Sequence, residues 1–318
     1  MQILNSSSTI NLDLTVRRKN RLTIKTIHCS DIALVISTPT RKDSRKKLTV
    51  PTEKRTASCD LGSVSVVIPC LNQAESLGHA VASVLRQRVP CEIVVVDDGS
   101  SMEQAISIRR IGERFGLRVL GFKASRGPAA ARNLGINASD TQFIAFLDAD
   151  DVWIPGKLQA QLSQMHTRGQ GFTYTRYANV SGTRVRAMPA PARLRRDDLL
   201  RNTAIGCSSV VLSRRFIGES RFPEAPDEDL AFWATLLGQE RTAYLAGGDI
   251  YVHRMLGRRP RNKFNAAWRY WRTLRDTLHI PTPEAMTHFI PYAHRAARKH
   301  WVPLIRTESS RRTIGEPT

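Results

Sequence analysis

Three aspartates fall within four positions of "FLDADD": Asp148, Asp150 and Asp151. A further acidic pair, Asp97-Asp98, closes "IVVVDDGS". Both clusters directly follow apolar runs, so both stand where strands end. Carboxylates gathered at one edge repel one another unless a cation sits among them. A hard divalent ion, Mg²⁺ or Mn²⁺, answers that need. Such ions prefer oxygen ligands, and magnesium commonly takes only one or two carboxylates, leaving other positions to water and substrate phosphates.

The elements that must position these groups read clearly. "SVSVVIP" is an apolar run ended by Pro69, and such runs suit strands buried on both faces of a parallel sheet. Leu77, Ala80, Val81, Val84 and Leu85 then recur at helical spacing. "CEIVVVDDGS" is a second strand, residues 102–115 a helix, and "LRVLGF" a third strand. Pro128 opens an Ala-rich helix at the position that tolerates proline best. "TQFIAFLDADD" is the fourth strand and "PGKLQAQLSQMH" the next helix. Four alternations with short connections predict a doubly wound, mainly parallel α/β sheet. In such sheets ligands bind outside the carboxyl ends of the strands. Asn72, Asp97, Asp98, Asp148 and Asp150 all collect there.

Composition narrows the chemistry. The 318 residues carry a formal charge of +20, distributed unevenly. Residues 1–60 hold +7, residues 61–249 only +3, and residues 250–318 hold +10. A nucleic-acid groove through the central domain is therefore unexpected, while the tails can meet phosphates or anionic lipid. The five cysteines (Cys29, Cys59, Cys70, Cys91, Cys207) show no CxxC spacing, which suits a reducing compartment. No apolar run is long enough to cross a membrane, and the first residues lack signal-peptide order. A cytoplasmic protein is expected, with residues 1–60 a basic, disordered extension.

Several phosphate-handling motifs are missing. There is no G-x-x-x-x-G-K-[ST] loop and no G-x-G-x-x-G after the first strand. "DADDV" resembles the D-x-D-x-V of haloacid-dehalogenase-like phosphatases, but that motif belongs to a first strand and here three strands precede it. Nucleotidyltransferases share the general fold and metal use, yet "PCLNQAESLG" lacks their Gly-rich basic loop.

The pieces that remain, "VSVVIPCLN", "EIVVVDDGS", "SRGPAAARNLGI" and "FIAFLDADDVWIPGKL", resemble a family-two glycosyltransferase with the GT-A fold. The resemblance begins at residue 64 and continues more loosely to about residue 255. It implies a domain over 61–255, with a nucleotide-sugar half (61–160) and an acceptor half (161–255). It also implies a nucleoside-diphosphate-sugar donor, a carbohydrate or lipid-linked acceptor, and a role in polysaccharide, lipopolysaccharide or glycolipid synthesis. Pro69, Asn72, Asp97 and Asp98 inherit contacts to the donor nucleotide, Asp148 to ribose or metal, and Asp150 to the cation. Asp151 is expected to cap the following helix. Arg126 and Arg132 either neutralise the donor diphosphate or, for Arg132, pair with the aspartate turn.

In "PDEDLAFWATLL" the resemblance makes Asp229 the general base and Glu228 its neighbour. On spacing alone, these acids equally suit a helix N-terminus. A Y-R-x-H-like element near the domain's end is matched only by "YVHRM", with His253 and Arg254 in reversed order. Leu71 stands where the family often has tyrosine, so base selectivity is less defined. Such a chain could also bind sugar nucleotides without turnover.

The last segment, residues 256–318, is basic and partly helical. Phe264, Ala267, Trp268, Trp271, Leu274 and Leu278 fall on one helical face, with Arg275 inside its arc. That stripe either packs on the catalytic domain or lies on an anionic membrane.

Overall fold

In the computed structural model the described residues are 13–17, 21–25, 62–181, 184–202, 204–238, 240–255 and 263–298. The chain divides into two compact units, Met1–Ser58 and Cys59–Thr318. In the first, β1 (Asp13–Arg17) pairs antiparallel with β2 (Arg21–Lys25). The expectation of disorder over the rest of residues 1–60 lies outside the described residues.

The second unit opens as its apolar runs dictate. β3 (Val64–Cys70), α1 (Ala74–Leu85), β4 (Cys91–Asp97), α2 (Met102–Phe115), β5 (Arg118–Gly121), α3 (Pro128–Ala138) and β6 (Phe143–Phe146) follow in order. β6, β3, β4 and β5 lie side by side, all parallel. Val66, Val67, Ile68, Val94, Val95 and Val96 are fully buried, as strands covered on both faces require. α3 lies close on this sheet because Gly135 faces Val67. A Cβ there would stand 2.3 Å from a Val67 methyl.

The rest of the sheet is mixed. β7 (Asp151–Trp153), α4 (Lys157–Arg168), β8 (Phe172–Ser181), β9 (Arg184–Ala187), β10 (Arg193–Leu194) and α5 (Arg196–Asn202) come next. A 3-10 turn (Cys207–Ser209), β11 (Val210–Ser213), α6 (Arg214–Ile217), α7 (Glu228–Leu236) and β12 (Ala243–Met255) follow. The main strand order is β10-β12-β8-β11-β6-β3-β4-β5, with β7 on β12 and β9 on β8. β11 is inserted antiparallel between β6 and β8. α4 opens with a fully buried Lys157, whose Nζ lies 4.0 Å from the Trp153 ring centroid without a hydrogen-bond partner. Burial pushes that amine well below its ordinary pKa.

α8 (Lys263–Arg272), a π-helical turn (Thr273–Thr277) and α9 (Thr282–Arg298) end the described chain. They do not form a separate segment. Tyr270, Leu274, Ile280 and Ala285 are buried in one core cluster with Leu199, Leu200, Phe232 and Leu236. The Tyr270 hydroxyl also donates to the Leu200 carbonyl. The predicted stripe is therefore split: Leu274 is core, Ala267, Trp271 and Leu278 are half-buried, and Trp268 faces outward. The side chain of Phe264 lies outside the described residues. Arg275 does not snorkel alone, since its guanidinium donates to the Ile280 carbonyl. Among the described residues no helix is long and apolar enough to cross a membrane.

Candidate active site

The carboxyl ends of β3, β4 and β6 form one edge, and side chains tie it together. Asn72 follows β3 with φ +54°, a conformation asparagine tolerates better than most residues. Its Oδ1 accepts from the Ser101 amide at 2.8 Å, and its own amide donates to Ser100 Oγ at 2.8 Å. Asp97 Oδ1 accepts from the Ser100 amide at 2.9 Å. Gly99 (φ +79°) permits this turn, since a Cβ there would meet the Ala124–Ser125 backbone at 2.5 Å. Pro69 lies within β3, paired opposite Val96. Asn72 and Gln73 also line a pocket of about 310 Å³ with Glu75, Ser76, His79 and Gln104.

Asp98 has a different task from Asp97. Its carboxylate accepts from Ser125 Oγ (2.7 Å) and from the amides of Arg126 (2.8 Å) and Gly127 (3.0 Å). At 3% exposure it has little capacity left for a nucleotide. It fixes the loop that leads into α3. Arg126 is exposed, its guanidinium carbon 5.1 Å from the Phe122 ring centroid.

Arg132, on α3 and 5% exposed, joins two acidic clusters. Nη2 donates to Asp148 Oδ1 and Nη1 to Glu228 Oε1, each at 2.8 Å. Burial opposes its charge, but the Asp148 and Glu228 carboxylates outweigh that and hold it protonated. The aspartate turn after β6 and the start of α7 thereby become neighbours. Asp229, next to Glu228, has its carboxyl pKa pushed up to about 6 by burial and by the Glu228 charge, with Arg132 and Arg254 opposing.

Asp151 does not cap α4. "DVW" extends as β7 because it pairs with β12, and Gly156 precedes the helix instead. The Asp151 carboxylate accepts from Ser208 Oγ at 2.6 Å, and the same oxygen accepts from the Asp148 amide at 3.0 Å. Burial and the Asp148 charge raise Asp151 to about 8. The same two causes raise Asp150, against its backbone hydrogen bond, Arg254 and the Gln73 amide.

Arg254 rather than His253 serves this cluster. Arg254 lies opposite Asp151 in the β7–β12 register. Burial disfavours its charge, but Asp151, Asp148, Tyr177 and Asp229 together raise its pKa. Successive strand residues alternate faces, so His253 points away from Arg254. Burial lowers the His253 pKa. Ser208 and Gln73 also belong to the site, and neither carries a motif.

The sequence profile described as "Glycosyl transferase family 2" matches residues 65–222. The putative teichuronic acid biosynthesis glycosyltransferase TuaG of Bacillus subtilis is 33% identical over 74% of this chain and 96% of its own length. The chain belongs to glycosyltransferase family 2. A second relative is the Escherichia coli WfgD protein, named a UDP-Glc:alpha-D-GlcNAc-diphosphoundecaprenol beta-1,3-glucosyltransferase. It is 30% identical over 74% of this chain and 94% of its own length. Solved structures share the fold at 16% identity. S. aureus TarS with UDP-GlcNAc superposes with TM-score 0.55 over 67% of this chain and 64% of that one. Pyrobaculum calidifontis mannosyltransferase PcManGT, with GDP-Man and Mn²⁺, gives 0.56 over 73% and 69%. This family 2 glycosyltransferase thus has the GT-A-type α/β fold.

Among the described residues no three His, Cys, Asp or Glu side chains cluster closely enough to hold an ion by themselves. One or two carboxylates, with ligand oxygens completing the shell, is the donor set a magnesium-like ion accepts. Asp150 fits it, since burial and the Asp148 charge disfavour its anion even with Arg254 in electrostatic reach.

Proposed function

We propose that this chain transfers a sugar, with inversion, from a nucleoside-diphosphate sugar to the hydroxyl of a lipid-linked or carbohydrate acceptor. Its place would be in the synthesis of a cell-envelope polysaccharide or glycolipid. The names of TuaG and WfgD support that substrate class, and the ligands of the TarS and PcManGT structures support the donor. The observation that supports the reading is the bridge from Asp148 through Arg132 to Glu228, the residue directly before Asp229.

In this reading Asp229 takes the proton from the acceptor hydroxyl. The oxygen attacks the anomeric carbon from the face opposite the diphosphate, and the carbon–oxygen bond to phosphate breaks with its electron pair on the diphosphate. One displacement inverts the centre, and no sugar–enzyme bond forms. A pKa near 6 suits a base working at neutral pH, where it is ionised and still basic. Asp97 and Asn72 hold the nucleoside end, Arg132 orients Asp148, and Arg254 offers positive charge beside the turn. A divalent cation held by Asp150 and Asp148 would supply charge neutralisation for the diphosphate.

Incubation with a panel of UDP- and GDP-sugars and a lipid-diphosphate acceptor, with Mn²⁺, tests the proposal. Release of nucleoside diphosphate together with a β-from-α or α-from-β product is expected. Release of pyrophosphate would indicate nucleotidyl transfer, and donor binding without any product would indicate a sugar-nucleotide-binding protein.

A further inference from the structure

The C-terminal helices leave an apolar surface that the core does not cover. Trp268 is 63% exposed, Ile290 58% and Met286 41%. Ala267, Trp268, Trp271, Met286 and Phe289 line a groove of about 480 Å³. Single exposed apolar residues are ordinary, whereas a contiguous group beside a groove marks an interaction site. We propose that this surface docks on an anionic lipid bilayer.

Charge selects that occupant. α8, the π-helical turn and α9 together carry six Lys and Arg against two acids, and residues 250–318 as a whole carry +10. A second copy of the chain would bring the same positive charge to the contact and be repelled. An anionic bilayer offers the opposite charge and an apolar layer beneath it. Tryptophan with basic residues on an amphipathic helix suits that boundary. Arg269 and Arg272 remain about half exposed although each meets an aspartate.

The surface is also coupled to the site. Arg269, the neighbour of Trp268, donates to Asp227 Oδ1 at 2.6 Å and to the Pro226 carbonyl. The Asp227 amide donates to Thr273 Oγ1 at 3.3 Å. Asp227 directly precedes Glu228 and Asp229. A bilayer held against α8 therefore anchors the loop that presents the candidate base. Bringing that base to a membrane-borne acceptor rests on the function proposed above; the docking itself does not.

Flotation of the full-length protein on phosphatidylglycerol and phosphatidylcholine vesicles tests the proposal. Wild type should bind only the former, and lose binding at high salt. Trp268→Glu and Ile290→Glu should each weaken partitioning by roughly tenfold or more while melting normally and retaining transfer to a water-soluble acceptor. Should glutamate disturb the helices, Trp268→Ser and Ile290→Ser serve the same comparison. Wild type that does not bind, or variants that bind equally well, would overturn the proposal. So would a dimer in light scattering that Ile290→Glu dissociates, which would assign the surface to a second copy. Intact docking with no sugar transfer at all would count against the proposed reaction and leave the docking surface standing.

Discussion

Replacing Arg132 by methionine removes a group that hydrogen-bonds to both acidic clusters. Asp148 and Glu228 then face each other across an apolar side chain, having each lost a 2.8 Å partner. Breaking a buried ion pair costs about 3–5 kcal/mol. The partner side chains keep 25% and 15% exposure, so water compensates in part and the low end applies, about 3 kcal/mol. At roughly 2–4 °C per kcal/mol, the melting temperature should fall by about 6–12 °C. A second effect concerns Asp229. Arg132 lowers its pKa, so losing that charge raises the value above about 6. Arg254 remains to oppose part of that rise. The base must be ionised to act, so the acid limb of the kcat/KM profile moves to higher pH. Thermal melts and rate–pH curves read both effects. Adding Glu228→Gln should restore much of the stability by removing one stranded charge. An Arg132→Met protein that melts like wild type, with an unmoved acid limb, would refute the bridge as argued.

Asp229→Asn should lower turnover by about 10²–10⁴-fold while sugar-nucleotide affinity stays within a few-fold, separable by single-turnover kinetics and calorimetry. Asp150→Ala should abolish any Mn²⁺ enhancement of donor binding without lowering the melting temperature. The folded state already disfavours that anion through burial and the Asp148 charge. Lys157→Met should raise stability, because the buried amine lacks a hydrogen-bond partner and lies over the Trp153 ring face. The folded-state pKa of Lys157 is depressed, so the unfolded chain binds the extra proton. Wild-type stability should therefore climb as pH rises from that depressed value towards the ordinary lysine range. Denaturant melts across that range should show the climb in wild type and its loss in the methionine variant.

The parallel half of the sheet was legible because each of its elements is encoded locally. Apolar runs marked β3 and β4, and Pro128 fell at the first turn of α3 as its missing amide hydrogen requires. The start of α7 and its inward face, with Leu230, Trp233, Leu236 and Leu237 buried, could be read from spacing. What stayed hidden depends on partners distant in sequence. Asp98 is occupied by donors 27 to 29 residues later. Asp151 became a strand residue because β12, a hundred residues on, pairs with it. Ser208 sits under the aspartate turn with no motif to announce it. The choice between His253 and Arg254 required knowing which face of β12 meets β7. Two roles were open for Arg132, and its ion pair reaches beyond the aspartate turn to Glu228, 96 residues on, which the spacing did not suggest.

The burial of Tyr270, Leu274, Ile280 and Ala285 in one core cluster with Leu199, Leu200 and Phe232 bears on how the protein is made. Domains generally fold as units while the chain emerges during synthesis. The strands from β3 to β6 lie close in sequence and can assemble early, whereas the cluster holding Leu199, Leu200 and Phe232 lacks one wall until residue 285 appears. A nascent chain stopped near residue 255 would present that unfinished apolar wall to water and to chaperones. Residues 270–285 thus close the core on which the candidate base depends, and that core is complete only once they have emerged.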